Sequence, residues 1–319
     1  MTILITGVAG FIGSNLAEKL LLDGHQIIGI DNFDPFYNKQ IKLNNLSLFI
    51  HHPQFTFIEG DICDAELYAN TKLLSIQCIV HLAAKAGVRP SIDVPEKYFT
   101  ANANGTILLL EFAKNNNIKK FVFASSSSVY GKNPNSPWQE DSTELMPISP
   151  YAASKIAAEN IGKVYAHLYP INFIALRFFT VYGPRQRPDL AIHKFFKQIY
   201  NQEIIELYGK GDTYRDYTFI DDILKGLNAA IFSTTINDGF NTFNLGNCYQ
   251  VSLANLVQHI EKITGIKAKL NYLNEQPGDV KATCADINKS KNILNYNPQT
   301  SITDGLMAFN TWFKKTNNL

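Results

Sequence analysis

The first thirty residues constrain the fold more than any other part of the chain. A short apolar segment at residues 2–6 runs directly into glycines at positions 7, 10 and 13, and a helical pattern follows through residue 22. A second apolar segment, residues 26–30, ends at Asp31. This length is the minimum for two parallel strands joined by a helix. The N-terminus therefore predicts a βαβ unit.

The glycines of this unit indicate a dinucleotide site. At Gly7, Gly10 and Gly13 the missing Cβ lets backbone N–H groups approach a pyrophosphate, and the helix N-terminus beyond them adds partial positive charge. Asp31 can accept hydrogen bonds from an adenosine ribose. Because no arginine adjoins Asp31 to bind a 2′-phosphate, NAD is favoured over NADP. The alternative is a helix-capping loop followed by a surface aspartate.

Continuous apolar strands alternate with helices along the first half of the chain. Such strands are typical of a parallel sheet covered on both faces, so we expect an α/β fold with a Rossmann-type doubly wound sheet. The predicted NAD-binding domain spans residues 1–178, with a later segment returning to it. Residues 179–319 are predicted to form mainly a smaller substrate-binding lobe, with a β-hairpin around 205–220.

Composition excludes several classes of protein. The 319 residues carry 29 Lys and Arg against 28 Asp and Glu, so neither a nucleic-acid nor a membrane partner is expected. No apolar run has the length of a membrane span, and the N-terminus lacks the features of a signal peptide. His51 and His52 have no metal-binding pattern near them, so no metal is expected. The cysteines form no C-x-x-C pair and predict reduced thiols in a cytoplasmic protein; they are Cys63, Cys78, Cys248 and Cys284.

Tyr151 and Lys155 lie four positions apart in a segment that predicts a helix. Ser149 is a good N-cap and Pro150 suits the first helical turn, so the Tyr151 and Lys155 side chains should share one face. A tyrosine and a lysine at this spacing are usually structural, one packed and the other reaching solvent. The spacing alone does not distinguish that interpretation from a catalytic pair, so other segments of the sequence are needed.

Seven segments in order make the sequence resemble the extended short-chain dehydrogenase/reductase family nearly from end to end. They are GVAGFIGS, DNF, HLAA, SSSSVYG, YAASK, RDYTFIDD and NLGN. Within that family the chain is most similar to nucleotide-sugar 4-epimerases, and among these to the UDP-glucuronate 4-epimerases. HLAAKAGVRPS and RFFTVYGPRQRPDLA carry this narrower likeness. The resemblance implies catalysis, NAD as cofactor, a UDP-sugar as substrate and a homodimer.

The resemblance also implies roles for individual residues. Tyr151 would take the proton of a sugar hydroxyl, assisted by Lys155, while Ser126, or alternatively Ser127, holds the reacting oxygen. A tyrosine pKa of about 10 is too high for a base at neutral pH, so a nearby ammonium and the positive nicotinamide would have to lower it. Tyr151 and Lys155 would also contact the cofactor, with Lys155 at the nicotinamide ribose. The other implied contacts to the cofactor are Gly7, Gly10, Phe11, Ile12, Gly13, Asp31, Asn32, Asp61, Ile62, Leu82, Ala83, Ala84, Lys85 and Asn102. The implied contacts to the substrate are Arg89, Ser127, Thr180, Arg187, Arg215 and Asp279.

Arginine matches a glucuronate carboxylate best because its planar fork donates two parallel hydrogen bonds, and Arg187 is the candidate here. UDP-galactose epimerases often place an arginine where Gln276 stands, which mildly favours glucuronate. The alternatives are a UDP-glucose or UDP-N-acetylhexosamine epimerase, a UDP-glucuronate decarboxylase, a 4,6-dehydratase and a non-catalytic NAD sensor. Ser127 and Ser128 stand where dehydratases carry Asp-Glu, which counts against dehydration.

Overall fold

A seven-stranded parallel sheet forms the centre of the computed structural model, which describes residues 1–69, 73, 75–236, 238–274 and 280–319. Every neighbouring pair of its strands is parallel. In spatial order the strands are β10 (Phe240–Leu245), β6 (Asn172–Phe178), β5 (Lys120–Ser126), β4 (Cys78–His81), β1 (Thr2–Thr6), β2 (Gln26–Asp31) and β3 (Phe55–Glu59).

Helices cover both faces of this sheet and bury two apolar clusters against it. One face carries α1 (Phe11–Leu22) and α8 (Ile220–Phe232), and the other carries α5 (Gly105–Asn115) and α6 (Pro150–Leu168). Apolar side chains on both sides of the strands explain why their sequences read as continuous hydrophobic runs. The Rossmann-type doubly wound sheet is confirmed.

Strand order reverses between β1 and β4, which are neighbours in the sheet. The chain moves outward from β1 through β2 to β3, then returns to β4 and proceeds the other way through β5 and β6. Loops that leave the carboxyl ends of β1 and β4 diverge there and open a crevice, which is where open α/β sheets bind ligands. The topology therefore positions a site at this edge.

Shorter helices follow β2 and β4 in the first half of the chain. Helix α2 (Lys39–Ser47) follows β2. Helices α3 (Pro90–Asp93) and α4 (Pro95–Phe99) follow β4, and a π-helical turn at Thr100–Asn104 joins α4 to α5.

The second half of the chain adds two small sheets beside the main one. One contains β7 (Thr180–Tyr182), β9 (Tyr214–Phe219) and β11 (Gln250–Ser252), and the other pairs β8 (Ile204–Tyr208) with β12 (Lys269–Leu273). The helices of this half are α7 (Ala191–Tyr200), α9 (Leu253–Thr264), α10 (Asn288–Leu294) and α11 (Ile302–Asn317). Strand β10 from this half lies at the edge of the main sheet beside β6, and the division at residue 178 stays a prediction.

The predicted hairpin at residues 205–220 is wrong. Both of its strands exist, but β8 pairs in parallel with β12, and β9 pairs with β7 and β11. The local alternation of apolar and polar residues identified the strands correctly. The strands with which they pair come from segments distant in sequence. Within the described residues, no helix is both long and apolar enough to span a membrane.

Candidate active site

A cavity of about 720 Å³ opens at the edge where β1 and β4 diverge. Its walls come from the glycine loop, the ends of β2 and β5, the first turns of α6, and the segments around β7 and β9. Both halves of the chain therefore contribute to one cavity.

The glycine loop can cradle a pyrophosphate only because it lacks side chains. Gly7 has φ +71°, a left-handed conformation that favours glycine. A Cβ on Gly13 would lie 2.2 Å from the carbonyl oxygen of Gly7. Gly10 is the N-cap residue of α1, so the helix N-terminus faces the cavity lined by Phe11 and Ile12. This arrangement fits the pyrophosphate of a dinucleotide.

Asp31 is held at the end of β2 by two backbone donors. Its carboxylate accepts hydrogen bonds from Ala9 N at 3.1 Å and Phe33 N at 2.9 Å. Burial raises the pKa of Asp31, and Lys42, whose Nζ lies 3.9 Å from the carboxylate, acts in the opposite direction. Sequence analysis considered only arginine near Asp31 and missed Lys42, because α2 brings it back from eleven residues downstream.

Two more predicted cofactor residues are linked at the rim of the cavity. The Asn32 side chain donates to the Asp61 carboxylate at 2.8 Å, and Cys63 N donates to its other oxygen at 2.8 Å. Asn32, Asp61 and Ile62 all line the cavity. The polar end of β2 and the loop after β3 therefore form one wall together.

The loop after β4 lines the cavity through Leu82, Ala83, Ala84 and Lys85, as the resemblance implies. Lys85 Nζ forms an ion pair with Asp34 at 2.8 Å. Asn102 is not among the lining residues. Its amide instead exchanges hydrogen bonds with the backbone of Lys85, at 2.8 and 3.0 Å, so it shapes the loop from behind.

Tyr151, Ser126 and Lys155 come together on the opposite wall. The Ser149 side chain caps α6 by accepting from Ala152 N at 3.1 Å, as predicted, and this starts the helix directly before Tyr151. Tyr151 and Ser126 both line this wall, and their side chains interact. Burial raises the pKa of Tyr151, and the Ser126 side chain and the charge of Arg187 act to lower it.

Lys155 is buried, so the interpretation in which its side chain reaches solvent is wrong. Its Nζ donates to the carbonyl of Ala124 at 2.8 Å and lies 4.8 Å from the centroid of the Phe123 ring. Burial lowers the pKa of Lys155 to about 7, and the charge of Glu159 acts to raise it. Small changes in its surroundings can therefore switch its charge near neutral pH.

Arg187 lies in the cavity with a partner that sequence analysis missed. Its Nε and one terminal nitrogen bind the two oxygens of Asp189 at 2.9 and 2.7 Å, and its guanidinium carbon lies 5.3 Å from the Phe36 ring centroid. The signal for this pair was the R-P-D spacing of the sequence. The other substrate candidates that line the cavity are Ser127, Thr180 and Arg215.

One predicted substrate residue does not line the cavity, and another is not described. Arg89 is not among the lining residues, and its guanidinium carbon lies 4.7 Å from the centroid of the Tyr208 ring. Asp279, together with Gln276, lies outside the described residues. The roles of individual residues therefore stay predictions, although most of the residues share one cavity.

Comparison with known proteins identifies the family. A family model described as GDP-mannose 4,6 dehydratase matches residues 4–309. The chain belongs to the extended short-chain dehydrogenase/reductase family. It is 41% identical over 315 residues to a UDP-glucuronate 4-epimerase from Thermodesulfobacterium geofontis, covering 98% of this chain and 96% of that one.

Solved members of the family have the same fold. UDP-glucuronic acid 4-epimerase from Bacillus cereus, in complex with UDP-glucuronic acid and NAD, is similar with a TM-score of 0.93 and 38% identity over 99% of this chain and 100% of that one. UDP-glucose 4-epimerase from Thermotoga maritima, with UDP-glucose, is similar with a TM-score of 0.90 and 31% identity, over 99% and 100% of the two chains.

Replacing Gly13 by alanine should weaken NAD binding at least about tenfold, because the new Cβ would displace the Gly7 carbonyl and the N–H groups beside it. Isothermal titration of apo-protein with NAD measures this loss. Gly24→Ala, after the other end of α1, is the control, because a Cβ there meets nothing within 4 Å and its φ of +82° costs only stability. Equal affinity losses in both variants would contradict the assignment of the loop.

Proposed function

We propose that this protein is an NAD-dependent UDP-glucuronate 4-epimerase, which interconverts UDP-glucuronate and UDP-galacturonate through a transient 4-keto sugar. The observation that carries this proposal is the presence of the Arg187 guanidinium in the same cavity as Tyr151, Ser126 and Lys155. The likeness to UDP-glucuronate 4-epimerases over nearly the whole chain supports it. The alternative activities are not favoured.

The cavity fits NAD along its glycine-rich wall. Gly7, Gly10 and Gly13 would receive the pyrophosphate, Asp31 the adenosine ribose, and Lys155 the nicotinamide ribose. Bound NAD⁺ supplies the acceptor for hydride from the sugar carbon and later the donor that returns it. No net redox change results.

Tyr151 would act as the general base for the C4 hydroxyl. Its interaction with the Ser126 side chain supports Ser126, rather than Ser127, as the group that orients the reacting oxygen. Because burial alone raises the pKa of Tyr151, the phenolate needs positive charge nearby. Arg187 supplies some of that charge, and protonated Lys155 would supply more. After the keto sugar presents its other face, Tyr151 returns the proton to the inverted alcohol.

Arg187 would bind the glucuronate carboxylate, with Thr180 beside the sugar. Its two bonds to Asp189 hold the guanidinium plane and use two of its five donors. A substrate carboxylate can accept hydrogen bonds from the remaining N–H groups in the same plane. Arg215, which also lines the cavity, would contact the diphosphate.

A homodimer is part of the same proposal. Val164 and Leu168 on α6 expose 53% and 60% of their surfaces, and they lie four residues apart on one face of the helix. Aspartate at both positions should convert a dimer to a monomer in analytical ultracentrifugation, because it would bury charge in the interface. A monomeric wild-type protein would contradict this part. We further propose a cytoplasmic location and a role in supplying UDP-galacturonate for polysaccharides.

Incubation of the purified protein with UDP-glucuronate should give UDP-galacturonate without net NADH, as followed by proton NMR of the sugar. Tyr151→Phe should lower kcat by at least about a thousandfold while NAD stays bound, because the base is lost and the ring is kept. UDP-xylose as the product would indicate a decarboxylase instead. Conversion of UDP-glucose but not of UDP-glucuronate would support 4-epimerisation and reject UDP-glucuronate as the substrate.

Arg187→Met should lower kcat/KM for UDP-glucuronate about a hundredfold, because the substrate carboxylate loses a charged partner in a buried site. UDP-glucose has no carboxylate and is the internal control, so kcat/KM for UDP-glucose should change less than about tenfold. The two substrates are compared by the same NMR assay. An equal loss of kcat/KM for both substrates would indicate that a residue other than Arg187 binds the carboxylate.

A further inference from the structure

A buried carboxylate lies one turn beyond the catalytic lysine and bonds to the same strand. Lys155 on α6 donates to the carbonyl of Ala124, and the next residue of β5, Ser125, donates its hydroxyl to Glu159 at 2.5 Å. Tyr151, Lys155 and Glu159 are spaced by four residues and so share one face of α6. Glu159 therefore connects the face of α6 that carries Tyr151 and Lys155 to the end of β5, where Ser126 lies.

Arg177 fixes the carboxylate of Glu159. Its Nε and a terminal nitrogen bind the two oxygens of Glu159 at 3.0 and 2.7 Å, and both side chains are only 5% exposed. Arg177 on β6 is the register partner of Ser125 on β5. A bidentate pair of this kind sets the orientation of both groups as well as their charge.

The pair is connected to the far edge of the sheet. Arg177 donates to the hydroxyl of Tyr130 at 3.0 Å, and Tyr130 donates to the Asn244 side chain at 2.7 Å. Asn244 on β10 is also the register partner of Arg177. Its backbone N–H donates to the carboxylate of Glu140 at 2.7 Å. This network leaves Glu159 little freedom to move away from Lys155.

We propose that Glu159 is a positioning residue for the epimerase reaction: through its bonds to Ser125 and Arg177 it holds the face of α6 that carries Lys155 against β5 and β6, and it places a negative charge near the Lys155 ammonium. Arg177 keeps the Glu159 carboxylate in the orientation this requires. The inference rests on the proposed function, because the charge of Lys155 matters for a proton transfer at Tyr151.

The groups around Lys155 show why Glu159 controls its charge. From β4 it faces His81, whose pKa burial lowers to about 3, so that this ring is neutral. From β5 it faces the Phe123 ring and the Ala124 carbonyl, which carry no charge. On α6 its neighbours are Tyr151 and Glu159. Glu159 is the negative charge that raises the pKa of Lys155 against the effect of burial.

Glu159→Gln should move the alkaline limb of the kcat–pH profile to lower pH by about one unit. The loss of the carboxylate and the unbalanced charge of Arg177 both lower the pKa of Lys155. Above that limb kcat should fall about tenfold, while KM for UDP-glucuronate changes less than about twofold. The pH profiles of the NAD-bound wild type and variant, measured by NMR turnover, test this.

A second readout does not need turnover. In NAD-bound protein with ¹³C-labelled lysine, the Cε shift of Lys155, assigned through Lys155→Met, should titrate about one pH unit lower in Glu159→Gln. An unchanged midpoint would overturn the inference whether or not the protein epimerises UDP-glucuronate. Absence of wild-type turnover alongside a shifted midpoint would instead reject the proposed function.

Two controls separate positioning from loss of fold. Asp222→Asn removes another buried carboxylate, which accepts from Thr300 N at 3.0 Å away from the cavity, so it should lower Tm without moving the profile. Glu159→Gln combined with Arg177→Gln removes both charges and should restore part of the shift, because Arg177 no longer repels Lys155. The proposal would be contradicted if the pH profile of the double variant moved by the sum of the shifts of the two single variants. It would also be contradicted if Glu159→Gln lowered Tm without moving the pH profile.

Discussion

The contact between α6 and the strands β5 and β6 is the interaction on which the site depends. Gly162 allows it, because a Cβ there would lie 2.3 Å from the Phe173 ring. This close approach carries the ammonium of Lys155 into the protein, where it has lost most of its hydration. Burying such a charge is costly unless hydrogen bonds and an opposite charge compensate it. The Ala124 carbonyl provides the first and Glu159 the second.

The end of β5 contributes both to the wall of the cavity and to the contact with α6. It presents Ser126 to the cavity, while the hydroxyl of Ser125, the residue before it, donates to Glu159. Adjacent residues of one strand thus contribute to the cavity wall and to the packing of α6 behind it. The loop after β2 adds a further link, because Asp34 pairs with Lys85 and Phe36 lies under Arg187. The glycine-rich end of the cavity and the end that contains Arg187 consequently share walls.

Several parts of the fold and site were predictable because each depends on a few adjacent residues. Gly7 and Gly13 indicated a tight loop, and Ser149 with Pro150 indicated where α6 begins. The hairpin prediction failed because alternation identifies a strand without naming its partner, and β12 lies about sixty residues beyond β8. The amide of Asn102 is hydrogen-bonded to the backbone of Lys85, which the sequence did not indicate, and its contact with the cofactor stays a prediction.

The sequence by itself determined the βαβ start, the glycine loop with Asp31 at the next strand end, and the four-residue spacing of Tyr151 and Lys155. These features follow from backbone chemistry and helix periodicity, which act over short distances along the chain. Only the tertiary structure decided that Arg177 balances Glu159 beside Lys155. Burial and charge depend on what surrounds a group in space, and those neighbours come from strands and helices far apart in sequence.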